Sequence, residues 1–189
     1  MKILGIDPGN KESAFALIDN NKVIKFNKLE NQEFIDVIFD ILIDEYPIIA
    51  VEMIASYGMP VGKTVFDTCV FVGQILVKIA WAKEINLITR QTIKSEICHS
   101  VKAKDSNVRQ SLIDIYGGEN ETKKIKCSVC KGKGWIGRNH ELCSACKGKD
   151  SIKTGQLYGM SKDMWSALAV ARATQQIIER KEKTIFYKF

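Results

Sequence analysis

Two Cys-x-x-Cys pairs, Cys127/Cys130 and Cys143/Cys146, lie late in this chain of 189 residues with twelve residues between them. Each pair sets two thiolates on one tight knuckle, and two knuckles complete a tetrahedral shell suited to Zn2+. Gly132, Gly134 and Gly148 follow the pairs and let the backbone turn around a metal. With all four positions filled by protein, such a site is structural rather than catalytic. The competing reading is four unligated thiols. His140 falls inside the finger, but four Cys already fill the shell. Cys69 and Cys98 fall on expected helices, where each reads as a small buried hydrophobe.

Charge sets the same segment apart. Residues 120–153 hold nine Lys and Arg and three acids, a net +6, which is the whole formal excess of the chain. They are also poor in aliphatic residues. The segment therefore reads as an insertion with its own stabilising device, over residues 117–157, interrupting a core made of residues 1–116 and 158–189. An excess of positive charge favours an acidic partner such as nucleic acid. The apolar runs are far shorter than a membrane span, and Asp7 interrupts the only candidate signal-peptide core. The expectation is a cytoplasmic protein with no membrane contact, whose Cys are thiols or metal ligands.

Around the insertion the pattern is that of a mixed α/β domain. Lys2 to Asp7 is a short apolar strand stopped by Pro8-Gly9-Asn10. Ser13 to Ile18 and Lys22 to Phe26 form a hairpin about Asp19-Asn20-Asn21. Asn31 is placed to cap a helix carrying Phe34, Val37, Ile38, Ile41 and Leu42 at helical spacing, ended by Pro47. Ile48 to Val51 is continuously apolar, as in a strand covered on both faces. A loop from Ser56 to Lys63 leads to a long helix over 64–84, a fifth strand over 86–89, a short helix over 92–99, and another opened by Asp105 or Ser106. A final helix covers 161–181, in which Ala167, Ala169, Ala171 and Ala173 offer a small-residue surface for close packing on a sheet. The expected architecture is a five-stranded mixed sheet flanked by helices.

Three acids stand out by position. Asp7 ends the first strand, Glu52 ends the apolar fourth strand, and Asp163 opens the last helix. Each has an ordinary reading. Asp-Pro-Gly is common turn chemistry, and a first-turn acid suits the helix dipole. Glu52 is the least ordinary, because a charge beside a buried strand is costly without a partner or a metal. If the first and fourth strands are parallel neighbours, Asp7 and Glu52 reach one sheet end. Such carboxylates can hold two divalent ions for attack of water on a phosphodiester, and oxygen ligands suit Mg2+ or Mn2+.

ILGIDPGN, AVEMIASYGMPVGKTVFDTCVFVGQ and SKDMWSALAVARA, in that order, resemble the RuvC family of Holliday junction resolvases, nearest its phage-type branch. The likeness covers nearly all of the chain outside residues 117–157. It implies an RNase H-like fold, a homodimer, and Mg2+-dependent nicking of four-way DNA junctions. Asp7 and Glu52 fall on the family's first-strand Asp and central Glu, and Asp163 on the first acid of its final Asp-x-x-Asp-Ala pattern. Ser166, followed by Ala167, stands where the second acid would be. The resemblance also implies a base-stacking wedge at Tyr57 or Met59 and basic residues near the scissile phosphate at Lys94 and Lys104, with Arg109 a weaker phosphate contact. The dimer interface is expected on the 64–84 helix. CSVCKGKG and CSACKG resemble half of the zinc-binding region of DnaJ-type chaperones, and Lys131 and Lys133 make that insertion a candidate grip on a DNA arm. The alternatives are a junction-binding protein that does not cut, prompted by Ser166, and an RNase H-fold nuclease acting on another nucleic acid.

Overall fold

The computed structural model describes residues 1–56, 58, 60–137, 139–149 and 151–186. Two compact units emerge, one of residues 1–112 with 160 onward, the other of residues 113–159.

The first unit is a five-stranded sheet with helices on both faces. Strands β1 (Lys2–Asp7), β2 (Glu12–Asp19) and β3 (Lys22–Glu30) form an antiparallel meander. Helix α1 (Asn31–Glu45) crosses to β4 (Ile48–Met53), and α2 (Lys63–Lys78) crosses to β5 (Ile85–Thr89). The spatial order is β3-β2-β1-β4-β5, with β1, β4 and β5 parallel. Helices α3 (Arg90–Cys98), α4 (Asp105–Ile115) and α5 (Lys162–Phe186) follow.

The two faces of the sheet differ in size, and the strand alternation explains why. Leu4, Ile6, Phe15, Leu17, Ile49 and Val51 point to one side and pack on Phe34, Ile38, Phe71 and Ile75 of α1 and α2. The intervening residues point to α5 and are small along one row: Ala16, Gly5 and Ala50 are paired across β2, β1 and β4. Against that row α5 sets Ala167 and Ala171, one turn apart, while Ala169 and Ala173 are buried elsewhere on the helix. A Cβ on Gly5 would stand 2.2 Å from the Ala167 carbonyl oxygen and 2.6 Å from the Ala171 nitrogen. Gly5 is therefore fixed by the closeness of the helix backbone.

Several local expectations change. Asn31 does not cap α1 from outside. It is the first helical residue, and its amide donates to the Gly9 carbonyl at 3.0 Å while its Oδ1 accepts from the buried Ser13 hydroxyl at 2.7 Å. Strand β3 runs four residues further than expected, because Asn27 to Glu30 pair with Glu12 to Phe15. Helix α2 stops at Lys78 rather than near residue 84: the chain turns there to enter β5 parallel to β4, and Trp81 packs on Phe39 with ring centroids 5.8 Å apart. Cys69, expected to be buried, is exposed on α2, while Cys98 is half-buried.

The second unit has little secondary structure of its own. Strand β6 (Lys124–Lys126) pairs with β9 (Ser151–Thr154), and β7 (Trp135–Ile136) with β8 (Glu141–Leu142). Its buried cluster is the four Cys with Ile136 packed against them. Lys131-Gly132 and Lys147-Gly148 all have positive φ, between 51° and 81°, so the two knuckles repeat one backbone path. Among the described residues, no helix is long and apolar enough to cross a membrane.

Replacing Gly5 by Ala is expected to lower stability by about 3 kcal/mol, since α5 or β1 must shift to admit the methyl group. Urea denaturation checks this; a change within error would show that the contact is slack.

Candidate active site and cysteine cluster

Asp7 and Glu52 end up side by side because β1 and β4 are parallel and in register, with Ile6 paired to Val51. Both carboxylates line one cavity of about 230 Å3, together with Pro8, Ile54 and Arg90. The turn behind Asp7 is braced by the Gly9 N–H, which donates to the Ser13 hydroxyl at 3.0 Å, and by the Asn31 contacts. Helix α5 brings Asp163 and Ser166 to the same end of the sheet, one turn apart. The Ser166 hydroxyl hydrogen-bonds the Asp7 carboxylate, and the Asp163 charge acts on it.

The electrostatics are those of crowded, partly desolvated acids. Burial, then the Glu52 and Asp163 charges, push the Asp7 carboxyl from 3.8 up to about 7; Arg90 and the Ser166 hydroxyl act in the opposite direction. Glu52 is also raised, chiefly by burial, against the pull of Arg90. Arg90 Nη1 stands 3.3 Å from Glu52, and its Nη2 2.9 Å from Asp105. Lys94 Nζ is 3.6 Å from the same Asp105 oxygen. Although burial opposes it, Arg90 and Lys94 hold Asp105 below its usual range. On the other flank Lys28 lies 3.0 Å from Asp163 and 2.6 Å from Glu12.

The three acids thus share one sheet end but do not close into a single tight cluster. Among the described residues, only the four thiols have ligand atoms all within 4.8 Å of one another. Arg90 draws Glu52 to one side and Lys28 draws Asp163 to the other. Like-charged carboxylates that burial forces toward the neutral form are a donor set that a divalent cation would relieve, so the residues fit such an ion.

The remaining candidates lie as follows. Lys104 is exposed just before α4, where its N–H donates to Asn107 Oδ1 at 3.0 Å. Arg109 lies over the ring of Trp165, 5.2 Å from its centre. Tyr57 and Met59 fall outside the described residues. Arg90, Asp105 and Lys28 are site neighbours that the motif reading missed. Arg90 could have been found from sheet order alone, since it directly follows β5 at the edge where β1 and β4 end.

In the second unit, Cys127 and Cys143 sulfurs are 3.7 Å apart and Cys130 and Cys146 sulfurs 3.6 Å apart. A tetrahedron with Zn–S bonds of about 2.3 Å has edges of about 3.8 Å, so the buried cluster matches the span of a zinc shell. Burial opposes ionisation of Cys130, but the Gly134 N–H, 3.2 Å from its sulfur, and the neighbouring thiols hold it below the ordinary thiol value. Lys131 is exposed in the first knuckle, and Lys133 lies 5.2 Å from the centre of the Trp135 ring.

No protein-family model matches the chain, and no curated protein matches it in sequence. Solved structures do match in fold. Thermus thermophilus RuvC superposes with a TM-score of 0.65 at 13% identity, over 96% of this chain and 97% of that one. The T. thermophilus RuvC in complex with a Holliday junction substrate gives 0.63 at 12% identity, over 95% and 96%. The chain therefore has the RuvC-type, RNase H-like fold: a mixed five-stranded sheet flanked by helices.

The Asp7 shift carries a sign. A carboxyl whose value rises on folding favours the fold most below about pH 4, and that contribution is lost as pH rises through about 7. Without divalent ions, the protein is expected to lose thermal stability between about pH 5 and about pH 8, and Asp7→Asn to melt several degrees higher at the upper end. Thermal scans of both chains check this, and equal melting points would contradict it.

Proposed function

We propose that this chain is a structure-selective DNA endonuclease that hydrolyses phosphodiesters at four-way junctions or related branched DNA, using Mg2+ or Mn2+ and acting as a homodimer. The observation that carries the reading is the pairing of two partly buried carboxylates, Asp7 and Glu52, at adjacent parallel strand ends beside Asp163. The RuvC-like fold supports it.

Asp7, Glu52 and Asp163 are the residues that would hold two divalent cations, whose chemistry is to activate water and neutralise charge growing on the phosphodiester. Ser166 orients Asp7 as a neutral donor where a second acid stands in the resembling family, so three carboxylates provide the negative charge. Arg90 offsets the charge of Glu52 and holds its orientation. Lys94 and Lys104 supply positive charge for the scissile phosphate, and Tyr57 or Met59 is the wedge at the junction centre. The four Cys hold one structural Zn2+, and Lys131 and Lys133 grip a DNA arm.

The second copy belongs on α2. Phe66, Val70 and Val77 are 59%, 64% and 80% exposed on one face, with open space beside Gly73 between them. Two-fold symmetry matches a junction that needs one cut on each of two strands.

A labelled four-way junction with Mg2+ or Mn2+ is expected to be nicked, and Glu52→Gln to slow nicking by roughly 10²–10³-fold, in line with loss of transition-state charge stabilisation. Binding without product would instead make the chain a non-cutting junction protein. Preferential cutting of an RNA hybrid would point to another substrate, since A-form shape and the 2′-OH are read differently.

Reversing Lys131 and Lys133 to Glu is expected to flatten the dependence of log affinity on log salt by about two if each meets one phosphate. An unchanged slope would leave the cysteine unit as a stability clip.

A further inference from the structure

A second cavity, of about 270 Å3, opens between the starts of α4 and α5; the roles above involve Arg90 and Ser166 from its lining but give the cavity itself no occupant. Its apolar lining is Val108, Met160 and the indole of Trp165; its charged lining is Arg90, Arg109 and Lys162 against Asp105. Three cations and one acid favour an anion. The apolar wall favours something flat alongside that anion. The volume lies just below the range for ligand sites, roughly 300–1,000 Å3, which limits the occupant to a single small unit.

Trp165 is buried at 7% exposure, whereas Arg109 is exposed and lies 5.2 Å from the ring centre. The guanidinium thus lies over the indole on its solvent side. A planar cation backed by an aromatic ring is a surface on which a nucleobase stacks, and its edge still donates to phosphate oxygens.

Position decides the identity of the occupant. Arg90 lines this cavity and also the one that holds Asp7 and Glu52. Ser166 lines it too while hydrogen-bonding Asp7. The two cavities therefore share Arg90 as a wall, which sets this opening beside the carboxylates.

We infer that the cavity between α4 and α5 binds one nucleotide of the cleaved strand, with its base against the Arg109–Trp165 pair and its phosphate at Arg109 and Lys162. The assignment rests on the nuclease reading for its choice of ligand. It makes Arg109 and Lys162 substrate-positioning residues.

The cavity can be read directly. Trp81→Phe and Trp135→Phe leave Trp165 as the sole tryptophan. A short single-stranded deoxyoligonucleotide, added without divalent ions, is expected to change Trp165 emission saturably, whereas inorganic phosphate alone changes it little. Arg109→Gln and, separately, Lys162→Gln are expected to weaken that response about tenfold and to raise the KM for junction nicking more than they lower kcat. Both side chains are exposed, so the fold should tolerate the changes, and Arg109→Lys should recover only the part due to charge. No emission change while anisotropy shows the oligonucleotide bound overturns the assignment, as does an oligonucleotide that does not bind at all. Variants that bind and nick like the parent also overturn it. A saturable Trp165 response in a chain that never nicks supports the cavity and sinks the nuclease reading instead.

Discussion

Helix α5 lies against the sheet at backbone distance, over the row formed by Ala16, Gly5 and Ala50. That contact has two consequences. It closes the second face of the sheet with small residues, where large ones would hold the helix away. It also delivers the first turns of α5, with Asp163 and Ser166, to the strand ends that carry Asp7 and Glu52. A helix raised by one methyl layer would leave the core largely filled but would move Ser166 off the Asp7 carboxylate. Fold and site therefore depend on the same approach.

The site itself is held together by opposed charges. Burial and crowding push Asp7 and Glu52 toward their neutral forms, while Arg90 and Lys28 restrain the flanking acids. A cation entering this end of the sheet would meet acids already gathered by the fold and would compete with Arg90 for Glu52 and with Lys28 for Asp163. The arrangement also gives Ser166 a role that charge counting misses. It cannot replace a carboxylate, yet its hydroxyl favours the ionised form of Asp7 against the cost of burial.

Much of this was legible in the chain. The apolar run of Ile48 to Val51 pointed to a two-sided buried strand, and Glu52 directly after it pointed to a site. The alanines of α5 pointed to a helix packed closely on the sheet. The four Cys were readable from spacing alone, because sulfur geometry is set by the knuckle. What was not legible depends on tertiary context. The stop of α2 at Lys78 has no Pro or Gly to mark it; the return to β5 imposes it. Asn31 looked like a cap because its residue type suits one, but the buried Ser13 and the Asp7 turn claim its side chain. Arg90 and Lys28 carry no motif, and their importance appears only when β5 and β3 are placed in the sheet. The pairing of Arg109 with Trp165 carries no sequence signal either, because it depends on α4 and α5 meeting.

The most direct measurement is a crystal structure of the chain soaked in Mn2+, with anomalous scattering used to locate the ions. The account predicts anomalous peaks between Asp7, Glu52 and Asp163, with Arg90 displaced from Glu52, and their loss in Asp7→Asn. Mn2+ bound elsewhere while Arg90 remains on Glu52, or no bound ion at that end of the sheet, would contradict it.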